Sequence, residues 1–238
     1  MSLLLHAGAQ PVDYGALRTL TIPEATATHV PIPHFRVVDL LKSTLSMYGH
    51  EITEEHYGIT EDGARFFGLL SLHSSYTGYE DTVGLRNSHD KRFPIGVAFG
   101  SRVFVCDNLA FIADHVIKRK HTPNAKRDLP GLVGEIIEPL VFQREKQRQT
   151  FVRYQETAID QPQADHAIMD MYRQGVINLQ RIADVEDAWQ RPPHDWGDRT
   201  AWRLFNAATY ALHGKVVEHN DATPKLHRII DATCLRLN

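Results

Sequence analysis

The sequence contains few of the residues and motifs that mark a specialised class of protein. Only two cysteines, Cys106 and Cys234, occur among 238 residues, and they form no C-x-x-C pair. This argues against a disulfide framework and against a cysteine-based zinc site, and it favours a cytosolic protein. No apolar run approaches the roughly 18 residues of a membrane span, and the leucines at positions 3–5 are too few for a signal-peptide core. We therefore expect a cytoplasmic protein without a membrane partner.

Motifs for cofactors and metal ions are also missing. The chain has no P-loop and no G-x-G-x-x-G, so nothing predicts a nucleotide cofactor. His50 and His56 share a strand face with Glu54 in an extended chain, but their spacing is not that of H-E-x-x-H. We predict neither a cofactor nor a metal site.

The overall composition is that of an ordinary globular protein. Hydrophobic residues make up 42% and charged residues 23% of the chain, and the formal net charge is −3. A chain of this length buries about 70% of the surface that it exposes when unfolded, so it needs no disulfide or metal to fold. A nucleic-acid site would have to come from local clustering of positive charge.

The first half of the chain carries the patterns of an arm, a helix and several strands. Residues 1–33 are rich in glycine and proline without periodicity, which indicates an irregular arm. Apolar residues repeat every three to four positions from His34 to Tyr48, which predicts a helix. The Asp62-Gly63 dipeptide predicts a hairpin with a primed turn. Strands are predicted at residues 51–57, 65–73, 82–87 and 95–99, followed by an apolar run at 103–106.

The second half changes to helical periodicity after about residue 129. Pro139 predicts a kink or break in the first of these helices. Further helices are predicted at residues 163–174, 178–190, 199–213 and 224–236. The fold class is therefore α+β, with a central antiparallel sheet and a packed helix in the first half and a helical second half. We divide the chain into an arm (1–33), a sheet core with one helix (34–127) and a helical part of the same domain (128–238).

Seven consecutive polar residues, 86–92, lie between two predicted strands. They support an enzyme hypothesis in which His89 is the general acid or base and either Asp90 or Asp107 orients it, while Arg86 and Lys91 hold an anionic substrate. The alternative is a solvated loop rich in turn-forming residues. We expect Arg86, His89 and Asp90 to form side-chain hydrogen bonds to residues distant in sequence, with Asp107 and Asn108 as the favoured partners.

The densest positive charge follows the predicted sheet. Between residues 115 and 153 there are nine Lys and Arg against four acidic residues, whereas residues 50–90 hold eight acidic residues against two arginines. Such a basic segment can bind phosphates, and Phe142, Phe151 and Tyr154 within it can stack on bases. The alternative is a solvated helix face with a basic turn. The candidate nucleic-acid-binding residues are Lys91, Lys118, Arg119, Lys120, His121, Lys126 and Arg127.

Three stretches of the chain resemble a phage- and plasmid-associated family known as domain of unknown function 932. They are residues 84–91, residues 100–108 with Lys120-His121-Thr122 after them, and the helix from Trp202 to Thr209, within a likeness that spans residues 30–215. In that helix Trp202, Asn206 and Thr209 share one face, which we interpret as structural. The resemblance implies mobile elements and their DNA metabolism or host interactions, but no catalytic residues.

The helix and strands from residue 34 to 106 also look like the core of phage single-strand annealing proteins, which bind DNA in a basic groove. Our leading hypothesis is a non-enzymatic protein that binds single-stranded nucleic acid. The alternatives are the enzyme centred on His89 and a protein that interacts with a host protein. An oligomer is compatible with all three.

Overall fold

The computed structural model of the chain describes residues 9–73, 79–103, 109–212 and 222–235, and side chains are described except at 101–116. These residues fall into two compact units. Unit 1 is drawn from Met1–Gly100 and Asp114–Val141, and unit 2 from Ser101–Ala113 and Phe142–Asn238. The segment boundaries predicted at residues 33 and 127 stay predictions, because compact units need not coincide with independently folding domains.

In the described part of the chain most strands lie in the first half and most helices in the second, with two helices between the first two strands. The strands are β1 (Gln10–Pro11), β2 (Ile52–Ile59), β3 (Arg65–Leu72), β4 (Tyr79–Ser88), β5 (Ile95–Val103) and β6 (Leu109–Arg119). The helices are α1 (Tyr14–Thr19), α2 (His34–Met47), α3 (Ala125–Ile137), α4 (Leu140–Glu156), α5 (Gln161–Arg173), α6 (Leu179–Gln190), α7 (Ala201–Leu212) and α8 (Ala222–Leu235). This order confirms the predicted α+β class.

The strands form one six-stranded antiparallel sheet in which neighbours in the chain are neighbours in the sheet, in the order β1-β2-β3-β4-β5-β6. The register pairs Glu55 with Leu70 and Leu70 with Val83. The four predicted strands are confirmed. Strand β6 was not predicted, because its apolar residues run together instead of alternating with polar ones.

The loop between β2 and β3 confirms the hairpin but corrects its turn type. A primed two-residue turn needs positive φ at its first central residue, here Asp62, whereas in this loop only Gly63 has one, at 68°. The loop is longer, and it closes through Thr60 N–H donating to the Arg65 carbonyl over 2.9 Å. Asp62 stabilises it from within by accepting from Ala64 N–H at 3.0 Å.

Helix α2 packs its apolar side into the core of unit 1 and contacts β4, as predicted. It ends at Gly49, whose φ of 77° suits a residue without a Cβ. The alternating apolar residues of β4 and β5 are also buried, but most of the residues between them are buried as well, so burial does not single out one core face of these strands. The buried residues of the three elements are Val37, Val38, Leu41, Leu45, Val83, Leu85, Ile95, Val97 and Phe99.

The predicted helices of the second half are all present, with ends within a few residues of the predicted ones. Pro139 lies at the break between α3 and α4, as expected from its missing N–H. In unit 2, Asn206 Nδ2 donates to the Trp202 carbonyl at 2.9 Å and Thr209 Oγ1 to the Asn206 carbonyl at 3.1 Å. These buried residues therefore have the structural role that we inferred. None of the described helices combines the length and the apolar character needed to cross a bilayer.

Candidate functional site

Asn87, on β4, lies at the centre of a buried group of polar side chains in unit 1. Its Nδ2 donates to the Ile32 carbonyl over 2.8 Å and to His34 Nδ1 over 3.0 Å, and its Oδ1 accepts from His121 Nε2 at 2.7 Å. His89 Nε2 donates to the same Ile32 carbonyl at 2.9 Å. The His34 and His89 rings are stacked, with centroids 4.0 Å apart. We call Asn87, His34, His89 and His121 the histidine cluster.

The hydrogen bonds of the histidine cluster require neutral rings. Ile32 N–H donates to His121 Nδ1 over 2.9 Å, so the proton of this ring is on Nε2, which donates to Asn87. His34 accepts from Asn87 through Nδ1, so its Nε2 donates to the Gly63 carbonyl at 3.1 Å. Each of these two rings uses one nitrogen as donor and the other as acceptor, and only a neutral imidazole can do both.

Burial and mutual repulsion keep the cluster uncharged. Burial, with the neighbouring His89 ring as the second cause, lowers the pKa of His34 and of His121 to about 4. Burial also lowers the pKa of His89. The hydrogen bond from His89 to the Ile32 carbonyl satisfies a buried polar group and so stabilises the fold.

The histidine cluster fixes the end of the arm against the sheet. Ile32 bonds to the cluster through both its N–H and its carbonyl oxygen. Val30 N–H donates to the His121 carbonyl at 3.0 Å, which adds a backbone contact on the same segment. The arm residues immediately before α2 are therefore held in place by side chains from β4 and from the end of β6.

The predicted catalytic residues have separate partners within unit 1. Arg86 lies over the Phe93 ring, with Cζ 5.1 Å from the centroid, and burial lowers its pKa. Asp90 accepts from Ser88 Oγ, and its Oδ2 is 3.2 Å from Arg65 Nε. Burial by itself would raise the pKa of Asp90. The hydrogen bonds from Ser88 and from the backbone N–H of Arg92, together with the charge of Arg65, outweigh burial and lower this pKa. The segment 88–92 is thus tied to distant residues instead of projecting freely.

These contacts bear on the enzyme hypothesis. His89 contacts the arm, Asp90 faces Arg65 and Arg86 packs on an aromatic ring, so the structure does not direct the three groups at one substrate position. The expected partners Asp107 and Asn108 lie outside the described residues. Lys91, the remaining member of the motif, is exposed and has a φ of 66°.

An open groove of about 860 Å³ lies in unit 1 between α2, α3 and the arm. This volume is in the range of about 300–1,000 Å³ that is usual for ligand pockets. Its lining is mostly apolar, with Arg36 from α2 and Lys126 from α3 as the two cations and Asp39 as the acid. Asp39 accepts a hydrogen bond from Tyr14. The apolar lining residues are Ile22, Val30, Pro31, Ile32, Pro33, Phe35, Leu40, Leu129 and Pro130.

The predicted basic residues occupy three kinds of environment. Lys118, Lys120 and Lys126 are exposed, and no ion pair joins them to another residue in the described part of the chain. Arg119 is partly buried and its Nη2 is 2.6 Å from Asp128 Oδ2. Arg127 also contacts Asp128, but its side chain is 75% exposed, so this pair contributes little to stability.

Three other residues considered for nucleic-acid contact are buried. His121 is 4% exposed and belongs to the histidine cluster, so its ring is not at the surface. Phe151 and Tyr154 are 1% and 0% exposed in unit 2, so the prediction that they stack on bases is wrong. Phe142, at 74%, is exposed.

Sequence reasoning missed Asn87, His34 and His29 as parts of one site. His29 Nε2 lies 3.2 Å from the His89 carbonyl oxygen. The sequence did contain a signal for this site, because Asn87, His89 and His121 all lie in the stretches that carry the family resemblance. Despite the number of histidines, no group of three or more metal-ligating side chains in the described ranges is arranged to hold a metal ion.

The stretches that form this site also carry the family likeness. The model of the family described as "Domain of unknown function (DUF932)" matches residues 25–230. The chain belongs to this family. Neither a curated protein nor a solved structure matches the chain. The family match includes the last residues of the arm, the histidine cluster and all residues of the groove except Ile22.

Proposed function

We propose that the protein binds single-stranded nucleic acid through unit 1 and performs no chemistry on it. One observation carries this proposal: the apolar groove contains Arg36 and Lys126 and has further exposed cations close by in the chain. Apolar surface suits bases and unpaired cations suit phosphates, and together they characterise proteins that bind single strands. The expected association of the family with phages and plasmids would make this an activity of mobile-element DNA metabolism in the cytoplasm.

The cations of unit 1 are presented by regular structure. Lys118 is the second-last residue of β6 and lies on the face opposite to the buried Ile117, and Lys120 is the first residue after the strand. Lys126 and Arg127 are the second and third residues of α3. The ion pair between Arg119 and Asp128 connects the end of β6 to the start of α3, so the two segments that carry these cations are joined before a ligand binds.

The surroundings of His89 support a proposal of binding over one of catalysis. The histidine that would act as acid or base is buried and bonded to the backbone of the arm, and burial lowers its pKa. In contrast, Lys118, Lys120 and Lys126 form no bond within the described residues that would have to break when phosphates bind. A ligand of repeated negative charge is the chemistry that matches them.

Charge reversal at the exposed lysines tests the proposal. We expect the triple variant K118E/K120E/K126E to bind a labelled oligothymidine at least about tenfold more weakly than the wild type, because each phosphate left without its lysine reduces the counterion release that favours binding. The slope of log affinity against log salt should become shallower by about 0.7 for each phosphate that is no longer neutralised. Fluorescence anisotropy at several salt concentrations measures both quantities.

A matched control separates local contacts from overall charge. The variant K146E/R181E/K225E changes the net charge by the same amount at unit 2 positions whose charged groups form no ion pair in the described part of the chain, so it should keep wild-type affinity. A separate K91E variant tests whether the interface reaches the connection between β4 and β5. If the wild type binds no oligonucleotide at low salt, or if both triple variants lose affinity equally, the proposal is wrong.

A further inference from the structure

Phe35 and Arg36 form an arginine–aromatic pair at the groove. They are the second and third residues of α2, and both line the groove. Arg36 Cζ lies 5.2 Å from the centroid of the Phe35 ring, and Arg18 Cζ lies 5.5 Å from the same centroid. Phe35 is partly buried, whereas Arg36 is exposed. The ring therefore orients a guanidinium group beside an open apolar space.

This pair has the properties of a stacking surface. A guanidinium group is planar, weakly hydrated and positively charged, so it stacks on nucleobases and also attracts phosphates. The aromatic ring beneath it limits its rotamers, which reduces the entropy cost when a ligand binds. No carboxylate in the described ranges forms an ion pair with Arg36, so its charge is available to a ligand.

The remaining walls of the groove suit one base and its phosphates. The apolar floor excludes water around a flat ring, and Lys126 on the α3 side adds a positive charge across from α2. The bases of a duplex are stacked on each other and paired, so they cannot enter such a space without being flipped out. Asp39 is the acidic residue of the groove lining, and its carboxylate accepts a hydrogen bond from Tyr14.

We propose that the Phe35–Arg36 pair is a base-stacking site at which one unstacked base of a single-stranded nucleic acid enters the groove. The base packs against the guanidinium and ring, and its flanking phosphates contact Arg36, Lys126 and Arg18. This inference rests on the proposed function. It adds the class of ligand, because a base-stacking site makes the groove selective for single strands that carry bases. The histidine cluster is then a positioning element, because it holds the arm wall of the groove.

An abasic probe distinguishes stacking from charge. An oligonucleotide with abasic sites at every position keeps the phosphates of oligothymidine but offers nothing to stack. We expect R36K and F35L to weaken oligothymidine binding by about 5- to 100-fold, the range for removal of a stacked base, and to leave abasic binding almost unchanged. R36K retains the charge without the planar group, and F35L retains apolar volume without the ring. F35W should keep wild-type affinity for oligothymidine, because it restores an aromatic face.

The outcomes separate this inference from the proposed function. The K118E/K120E/K126E variant should lose affinity for both probes, since it acts through phosphates. If R36K and F35L bind oligothymidine as tightly as the wild type does, the inference of a stacking site is wrong, whereas the proposed function still stands. If the wild type binds neither probe, the proposed function fails. If the two variants lose affinity equally for both probes, Phe35 and Arg36 act through charge or folding and the base-stacking inference is overturned.

Discussion

Asn87 shows how one side chain organises the site. A neutral amide offers two N–H donors and a carbonyl acceptor, and here it uses both donors and the acceptor within a buried space. No other residue type of similar size can donate to the Ile32 carbonyl and to His34 while accepting from His121. Asn87 therefore determines the tautomers of two rings and the position of the arm at the same time.

Replacing Asn87 should be costly. We expect N87A to lower the free energy of unfolding by about 3 kcal/mol, because it leaves His34 Nδ1 and His121 Nε2 buried without partners. The exposed Asn124, at the start of α3, has no side-chain capping bond, so N124A should change stability by less than about 0.5 kcal/mol. Urea denaturation of both variants tests this, and equal costs would contradict the role of Asn87.

At the scale of elements, the loop between β2 and β3 connects local conformation to the site. Gly63 adopts a φ of 68°, and its carbonyl accepts from His34 Nε2. A Cβ built at Gly63 would meet only Leu20 Cδ2, at an ordinary 3.7 Å, so space is not what requires glycine. The left-handed backbone conformation is the reason, since it is unfavourable for residues with a Cβ.

The cost of replacing Gly63 is therefore the strain of the backbone conformation. We expect G63A to lower the free energy of unfolding by about 1 kcal/mol, and G63N to recover part of it because asparagine tolerates left-handed φ. Thermal or urea unfolding of the two variants makes the comparison. Equal stability of G63A and the wild type would show that the loop adopts another turn at no cost.

The elements differ in how well the sequence predicted them. Helices α2 and α5 to α8 follow apolar periodicity, which arises from each helix burying one face, so pattern alone locates them. Strand β6 has no such alternation in its sequence, so its place beside β5 became clear only from the hydrogen-bonded sheet. The Asp62-Gly63 dipeptide predicted the position of the hairpin but not its turn type, because the Asp62 carboxylate accepts a hydrogen bond within a longer loop.

At the scale of the whole molecule, buried neutral histidines make stability depend on pH. His34 and His121 in unit 1 have a pKa lowered to about 4 by burial, and His227 in unit 2 also has a pKa of about 4 for the same reason. The unfolded pKa of histidine is about 6.5. Between these values the unfolded chain binds more protons than the folded one, so stability is full above about pH 6.5 and falls as the pH decreases towards 4.

We therefore expect acid to destabilise the protein well above the pKa of its carboxylates. At about pH 5 each of His34 and His121 should reduce the free energy of unfolding by about 2 kcal/mol relative to neutral pH. H121Q keeps a donor for Asn87 but cannot be protonated, so it should be less stable than the wild type at neutral pH and lose less stability on acidification. Urea denaturation at the two pH values measures the difference. An identical loss in H121Q and the wild type would contradict the assignment.

The amino-acid sequence by itself determined the α+β class, most of the strands and helices, the family resemblance and the uneven distribution of charge. These features depend on residues close together in the chain, through periodicity, turn-forming dipeptides and local composition. Tertiary structure alone decided that His89 and His121 are buried and hydrogen-bonded in one cluster, that Phe151 and Tyr154 are buried, and that Arg36 and Lys126 meet at one groove. Hydrogen bonding and burial depend on which distant segments pack together, and a polar residue in a sequence looks the same whether its partner is a ligand or the backbone of the arm.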